Sequence, residues 1–493
     1  KNATQMQARI VRLTELCSRY RSLVCCADSL LVQETLIVQK TRMRREELDA
    51  GIRTVTHLAS YLQELQSDAR NLVSQIQPQQ RGYAVPEEDN QMRALLVSYC
   101  QARNALLELI QTLQAEARRD ASQYRVIFLT AFAAALILVD AARFLRETVE
   151  RRDVVREKLN EAAPEFGIPA GVYDKVQNSL LNPRHAWHLY HAIAYLDANE
   201  SELRELATRP DLRPLMAIVD RLRHRLDVSV ATYSQARLRN RSQRLFALVR
   251  DDLLRRSLVG LQKLGCLLVA DRYAKLGHAP RLPSAIVESL RTILRPGDVL
   301  VVRKEYALTN YFLPGYWPHA ALYLGDLHQL RSLDAPSESL RPAWTKLLNT
   351  DEEEPRVLEA LKDGVHVRRL ASPLNSDSIV VLRPHVKMEQ MAEGLARGLV
   401  HEGKAYDFDF NLKRSASLVC TEVIYRSYDG LGEIRFDVKQ RAGRSTLSGS
   451  DLISMALRDE NASVLAAYHV DFSQQLELDG KAIELIRQFH TPA

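Results

Sequence analysis

The residue with the plainest chemical potential in this chain is Cys420. It lies in the stretch 417–428, Ser-Leu-Val-Cys-Thr-Glu-Val-Ile-Tyr-Arg-Ser-Tyr, where Ser417 reads as a helix N-cap and Val419, Val423 and Ile424 fall at helical spacing. A helix start leaves backbone N–H groups unpaired and carries the positive end of the helix dipole, and both favour a thiolate at that position. A thiol becomes a useful nucleophile near neutral pH when such a field, or a neighbouring imidazolium, lowers its pKa from about 8.5. Taken alone, a single cysteine more often serves as a small buried hydrophobe. The case for catalysis therefore rests on partners.

Other groups invite chemistry and carry less. His185, His188 and His191 stand at i, i+3 and i+6, so two of them share enough of a helix face to bind one metal. No carboxylate or fourth ligand at a convincing spacing completes that site, and no metal or cofactor is expected. The stretch Arg221 to Arg256, with Arg237, Arg239, Arg241 and Arg244 and few acidic residues between them, has the charge to meet phosphate. Aromatic residues are sparse in it and no nucleic-acid motif surrounds it, so it reads as a solvated or internally paired face and no nucleic-acid partner is expected. The net charge of +6 over 493 residues permits contact with an anionic surface without implying one. Cysteines at 17, 25, 26, 100, 266 and 420 show no metal-type pairing and are too few for a disulfide framework.

These residues must be positioned by a chain too long for one core, which divides into two or three domains. Residues 1 to about 76 hold one glycine and no proline, with Ile10, Leu13, Leu16 and Cys17 at helical spacing, and read as long helices. The stretch 77–86 breaks the pattern, and Pro86 before Glu87, Glu88 and Asp89 starts another helix that runs to about Ala163. Within it, Val126 to Val139 is the most apolar segment; its 14 residues fall short of the roughly 20 a bilayer requires, which favours a buried bundle helix. Shorter helices follow, interrupted at Pro183, Pro210 and Pro214.

After Ala279 the pattern changes. Pro280 and Pro283 form a linker and a short helix follows. Arg295-Pro-Gly-Asp then turns into the strand Val299–Val302, and a second strand opens at His319 and closes at Gly325. A third, Arg356–Leu361, is joined through Asp363-Gly364 to Val365–Leu370 as a hairpin. Ile379–Leu382 is the next strand, followed by a helix from near His385, the loop 402–410 and the cysteine helix. The fold class expected is α+β: a helical hairpin or bundle over 1–163, a second helical region over 164–285, and a domain with a small antiparallel sheet over 286–493.

Read in order, Pro-Gly-Asp-Val at 296–299, Pro-His-Ala-Ala-Leu-Tyr-Leu-Gly at 318–325, Val-Leu-Glu-Ala at 357–360, Gly-Lys-Ala-Tyr-Asp-Phe at 403–408 and Leu-Val-Cys-Thr-Glu at 418–422 resemble a known family. It is the permuted papain-like cysteine hydrolases, the YiiX/YebB branch of the NlpC superfamily, in which histidine precedes cysteine along the chain. The resemblance covers about 290–440 and does not reach the helical region. It implies that Cys420 is the nucleophile, that His319 takes its proton, and that a polar residue on the following strand orients the imidazole. Glu359 fits that role, because a carboxylate in an apolar strand needs a partner such as an imidazolium; His328 and Asp334 are the runners-up. An insertion of about 25 residues, 331–355, departs from the compact family pattern.

Such a set implies attack on an amide or ester carbonyl through an acyl-thioester, with the substrate, peptidoglycan-type peptide or lipid acyl group, left open. Tyr316, Trp317, Phe312 and Phe408 are candidates for an apolar wall, and Tyr406 and Asp407 for support beside the cysteine. Self-association through the N-terminal helices and a peripheral membrane contact stay open, as does the compartment, with cytoplasmic or membrane-peripheral in a bacterium as the expectation. The competing reading, from another class, is a non-catalytic helical scaffold whose papain-like domain only binds. A third is a metal-dependent hydrolase built on the histidine cluster.

Overall fold

The computed structural model describes residues 45–76, 81–117, 123–150, 152–162, 168–180, 183–226, 278, 280–305, 315–350, 353–409, 412, 417–441 and 444–489. The chain divides into a unit of residues 1–51, described and helical over 45–51, and a unit of residues 52–493. The second unit opens with a helix over 52–75, whose buried Val55, Leu58, Ala59, Leu62, Leu65 and Leu72 recur at helical spacing. Pro86–Ala117 follows, with Glu87, Glu88 and Asp89 in its first turn as the sequence suggests. Tyr124–Val149 packs against it and against Arg213–Leu222. By length and composition that helix is apolar enough to cross a membrane, yet 72% of its most apolar window is buried within the protein. The helical run expected to reach Ala163 is interrupted, with Asp153–Leu159 a separate short helix.

The C-terminal half is built on antiparallel strands. β1 (Val299–Arg303), β2 (His319–Gly325), β3 (Arg356–Leu361), β4 (Gly364–Arg369) and β5 (Ser378–Pro384) are followed by the short β6 (Ala405–Tyr406), β7 (Ser417–Leu418), β8 (Lys439–Arg441) and β9 (Arg444–Thr446), then β10 (Ala462–Tyr468) and β11 (Glu477–Leu478). Seven of them form one sheet in the order β11-β10-β5-β1-β2-β3-β4. Its inner strands read as continuous apolar runs because both faces are covered. Val299 and Val301 join one core with the helices Met388–Leu399, Cys420–Tyr428, Gly449–Leu457 and Asp479–Phe489, while Leu300 and Val302 join another with Leu282, Ile286 and Leu290 around the helix Ser284–Ile293. The alternation is the period of two that a strand imposes.

The Asp363-Gly364 turn is present. Gly364 has φ +111°, and a Cβ there would sit 2.5 Å from the Lys404 carbonyl oxygen, so only glycine fits. The helix after β5 begins at Met388 rather than near His385, and the expected insertion, which starts as the helix Leu327–Arg331 ends, holds the helix Arg341–Leu348. A buried polar knot ties the helical region to the sheet region. Arg444 donates to the Asp409 carbonyl at 2.7 Å, to the Ala94 carbonyl at 2.6 Å and to Ser98 Oγ at 2.8 Å, while Ser98 and Tyr61 hydroxyls both donate to Asp409 Oδ1.

Met388–Leu399 packs directly on Cys420–Tyr428, and Gly394 lies where they meet. A Cβ at Gly394 would stand 2.9 Å from the ring of Tyr428, which is fully buried and anchored by its hydroxyl to the Gly297 carbonyl. Gly394→Ala should therefore destabilise the fold by about 1–3 kcal/mol despite alanine's better helix propensity. Urea denaturation checks this; an unchanged or raised midpoint would show that the two helices are not closely packed there.

Candidate active site

The helix Cys420–Tyr428 begins at the candidate cysteine, but its N-cap is Val419, which is extended and offers no side-chain cap. The expected cap, Ser417, is instead in β7, which pairs in parallel with β6 through Ala405–Ser417 and Tyr406–Leu418. That short pairing and the extended Val419 carry the backbone straight into the helix, with Cys420 at its head. The first backbone N–H groups of the helix have no carbonyl one turn earlier within it.

His319 is the first residue of β2 and Glu359 lies within β3, the next strand in the sheet. His319 Nε2 and Glu359 Oε2 are 2.7 Å apart. The Cys420 side chain lies close enough to act on the imidazole's charge as well. The thiol also points at the Pro318 carbonyl, 3.7 Å away. Cys420 is 2% exposed and Glu359 is buried, while the His319 side chain retains 17% exposure, so the imidazole is the reachable member of the three.

The electrostatics follow from this burial. Desolvation alone would lower the His319 pKa, but the hydrogen bonds and charges of Cys420 and Glu359 outweigh it and raise it from 6.5 to about 9. Burial alone would raise the Glu359 carboxyl; His319, Arg368 and Ser372 together hold it below its ordinary value. The Ser372 hydroxyl donates to Glu359 Oε1, and Arg368 Nε lies 3.6 Å from the same oxygen. Two residues beyond the cysteine, Glu422 is fully buried with Oε1 held by Arg426 at 2.8 Å and Oε2 without a partner, and burial lifts its pKa to about 7.

The runners-up for orienting His319 do not take part: His328 and Asp334 are both exposed on the surface. Tyr406 lies beside the cysteine, whose charge, after burial, is the main cause raising its phenol pKa. Asp407 is buried and donates its backbone N–H to the Leu418 carbonyl while Oδ1 accepts from Asp409. Trp317 is fully enclosed by the core, packing edge-on to Tyr316, so it offers no surface to a substrate. Tyr316 is partly buried, with its hydroxyl engaged by Glu305 and His469. Phe408 is buried against His57 and Tyr61, and Phe312 lies outside the described residues. The Arg237–Arg244 positions and the side chains of His185, His188 and His191 also lie outside them, and among the described residues no group of three metal-ligating side chains converges.

Sequence reasoning missed Arg368 and Ser372. The signal for Arg368 existed: the Asp363-Gly364 turn fixes a register that sets His366 opposite Glu359 and Arg368 diagonal to it. It also missed His57, whose Nε2 donates to the Tyr406 carbonyl at 2.9 Å across 349 positions. No local pattern marks that contact.

Residues 293–476 match the family model of the permuted papain-like amidase enzymes, the YaeF/YiiX or C92 family. This is the family the motifs resemble. The match supports a hydrolase of amide bonds and begins at the end of the helix that precedes β1, leaving the helical region unassigned. No curated protein and no solved structure matches the chain.

The raised pKa of His319 has a consequence for stability in the amidase-like region. The folded state holds the imidazole proton more tightly than the unfolded chain, so this contribution is complete below about pH 6.5 and is lost as pH climbs towards about 9. Between those values the denaturation midpoint of the parent should fall more steeply than that of His319→Gln. Parallel slopes would mean that the histidine is not held in its charged form.

Proposed function

We propose that the chain is a cysteine hydrolase of amide bonds in which Cys420 is the nucleophile, His319 exchanges protons with it, and Glu359 orients and charges the imidazole. What carries this reading is the placement of His319 between a buried carboxylate at 2.7 Å and a thiol at the head of a helix. We also propose the division into a helical region, to about residue 285, and a hydrolase domain over 286–493.

The chemistry follows in order. His319 takes the thiol proton, and the thiolate attacks the substrate carbonyl carbon. The carbonyl electron pair moves onto oxygen, where the N–H groups at the head of the nucleophile helix stabilise it. Collapse breaks the carbon–nitrogen bond as the imidazolium gives its proton to the departing amine, leaving an acyl-thioester. Water, deprotonated by the now neutral His319, attacks the thioester and releases acid and free thiol. Glu359 stays anionic throughout and compensates the imidazolium. An ester would follow the same path with an alcohol as leaving group, and the enclosure of Trp317 removes one of the features that leaned towards an acyl or lipid substrate.

Iodoacetamide labelling of Cys420, followed by mass spectrometry across pH, tests the pair. The parent should label readily below pH about 7, and His319→Ala should label only as fast as an ordinary thiol. Equal profiles would sink the enzymatic reading and favour the binding scaffold. With matched amide and ester substrates of one acyl group, Glu359→Gln should lower kcat by about 10²–10⁴ while leaving KM nearly unchanged. A loss confined to KM would move Glu359 from orienting the base to binding substrate.

A further inference from the structure

One face of the helix over 52–75 carries Arg53, His57 and Tyr61, each four residues from the next, and all three side chains point into the hydrolase region. Arg53 donates to Asp363 Oδ2 at 2.8 Å. Asp363 in turn accepts from Arg368 at 2.5 Å, and Arg368 Nε is the cation 3.6 Å from Glu359. Burial would raise the Asp363 carboxyl, and Arg368 and Arg53 hold it low, so the anion that aligns Arg368 is itself held in part by the helix. One turn later His57 donates to the Tyr406 carbonyl at 2.9 Å and stacks on Phe408. Tyr406 is in β6, the partner of the ladder that delivers Cys420, and its phenol neighbours the thiol. A further turn on, Tyr61 donates to Asp409 at 2.7 Å and its ring packs on Phe408.

We propose that this face is the positioning element of the active site: Arg53 through the Asp363–Arg368–Glu359 limb, and His57 with Tyr61 through the 405–409 segment, fix the two sides of the Cys420–His319 pair. Arg53, His57 and Tyr61 are positioning residues, since none touches the thiol or the imidazole. The inference rests on the Cys420–His319 reading and assigns to the helical region a part in catalysis, beyond carrying or targeting the hydrolase domain.

The physical basis is rigidity. β6 and β7 are two-residue strands that pair only briefly, too short to hold the approach to the cysteine by themselves. The helix adds two hydrogen bonds and two ring contacts to the 405–409 segment, and the Tyr61–Asp409 bond is buried, where losing it leaves a carboxylate oxygen one donor short. Small displacements near reacting atoms are costly, reaching about a hundredfold for about 1 Å.

The test uses the full chain with His57→Leu, which removes the donor, His57→Gln, which restores an N–H at similar reach, and the near-isosteric Tyr61→Phe. Arg204→Ala serves as control, since it breaks an ion pair with Asp220 within the helical region that contacts neither limb. Two readouts are taken on variants whose circular dichroism matches the parent: hydrogen exchange of the 403–409 peptide, and the rate and pH midpoint of Cys420 alkylation. His57→Leu and Tyr61→Phe should speed exchange and slow labelling at pH 6.5 by about tenfold, moving the midpoint towards an ordinary thiol, with His57→Gln near the parent and Arg204→Ala unchanged. Exchange and labelling both unchanged, or His57→Gln as impaired as His57→Leu, would overturn the proposal. If His319→Ala labels like the parent, the catalytic reading itself has failed; exchange at 403–409 then decides alone whether the helix orders that segment, and unchanged exchange overturns it.

Discussion

A carboxylate buried within a β-sheet is the constraint around which this structure is arranged. Glu359 has almost no contact with solvent, and an isolated charge in such surroundings would cost several kcal/mol. It stays ionised because His319 shares its proton with one oxygen while the Ser372 hydroxyl and the Arg368 guanidinium attend to the other. Each of these partners comes from a different element: the start of β2, the short helix after β4, and β4 itself. The sheet order, the hairpin register and the turn at Gly364 are thereby tied to the charge state of a single side chain.

The same logic extends outward. Asp363 fixes Arg368, and beyond the sheet Arg444 gathers Asp409, Ser98 and the Ala94 carbonyl into one buried knot. Such a knot is a poor source of net stability, because ionic groups give up much hydration to form it, but its geometry admits few alternatives. Its value lies in alignment. The helical region is locked to the hydrolase region in one register, as an apolar interface alone, tolerant of sliding, would not guarantee.

Much of the sheet region was legible because its signals are local. Short apolar runs bounded by turns, the Asp363-Gly364 turn and the ordered motifs around His319, Glu359 and Cys420 located the sheet, the hairpin and the three candidate residues. The N-cap was misplaced at Ser417 because a two-residue parallel ladder between 405–406 and 417–418 carries no sequence period of its own. Trp317 was read as a wall residue since an aromatic beside a candidate histidine looks the same whether it faces a cleft or a core; only the packing of Tyr316 and Phe489 against it settles the matter. The contacts of Arg53, His57 and Tyr61 join positions more than 300 residues apart, and no composition or spacing encodes them.

That separation bears on how the protein is made. Translation delivers the helix over 52–75 first, the imidazole much later, the thiol later still, and the arginine of the knot after all of these. A growing chain therefore holds this helix well before the groups it contacts have been made, and those contacts form only after several hundred further residues. Contacts of such sequence separation close slowly, so this joint is expected to be among the last parts of the fold to form.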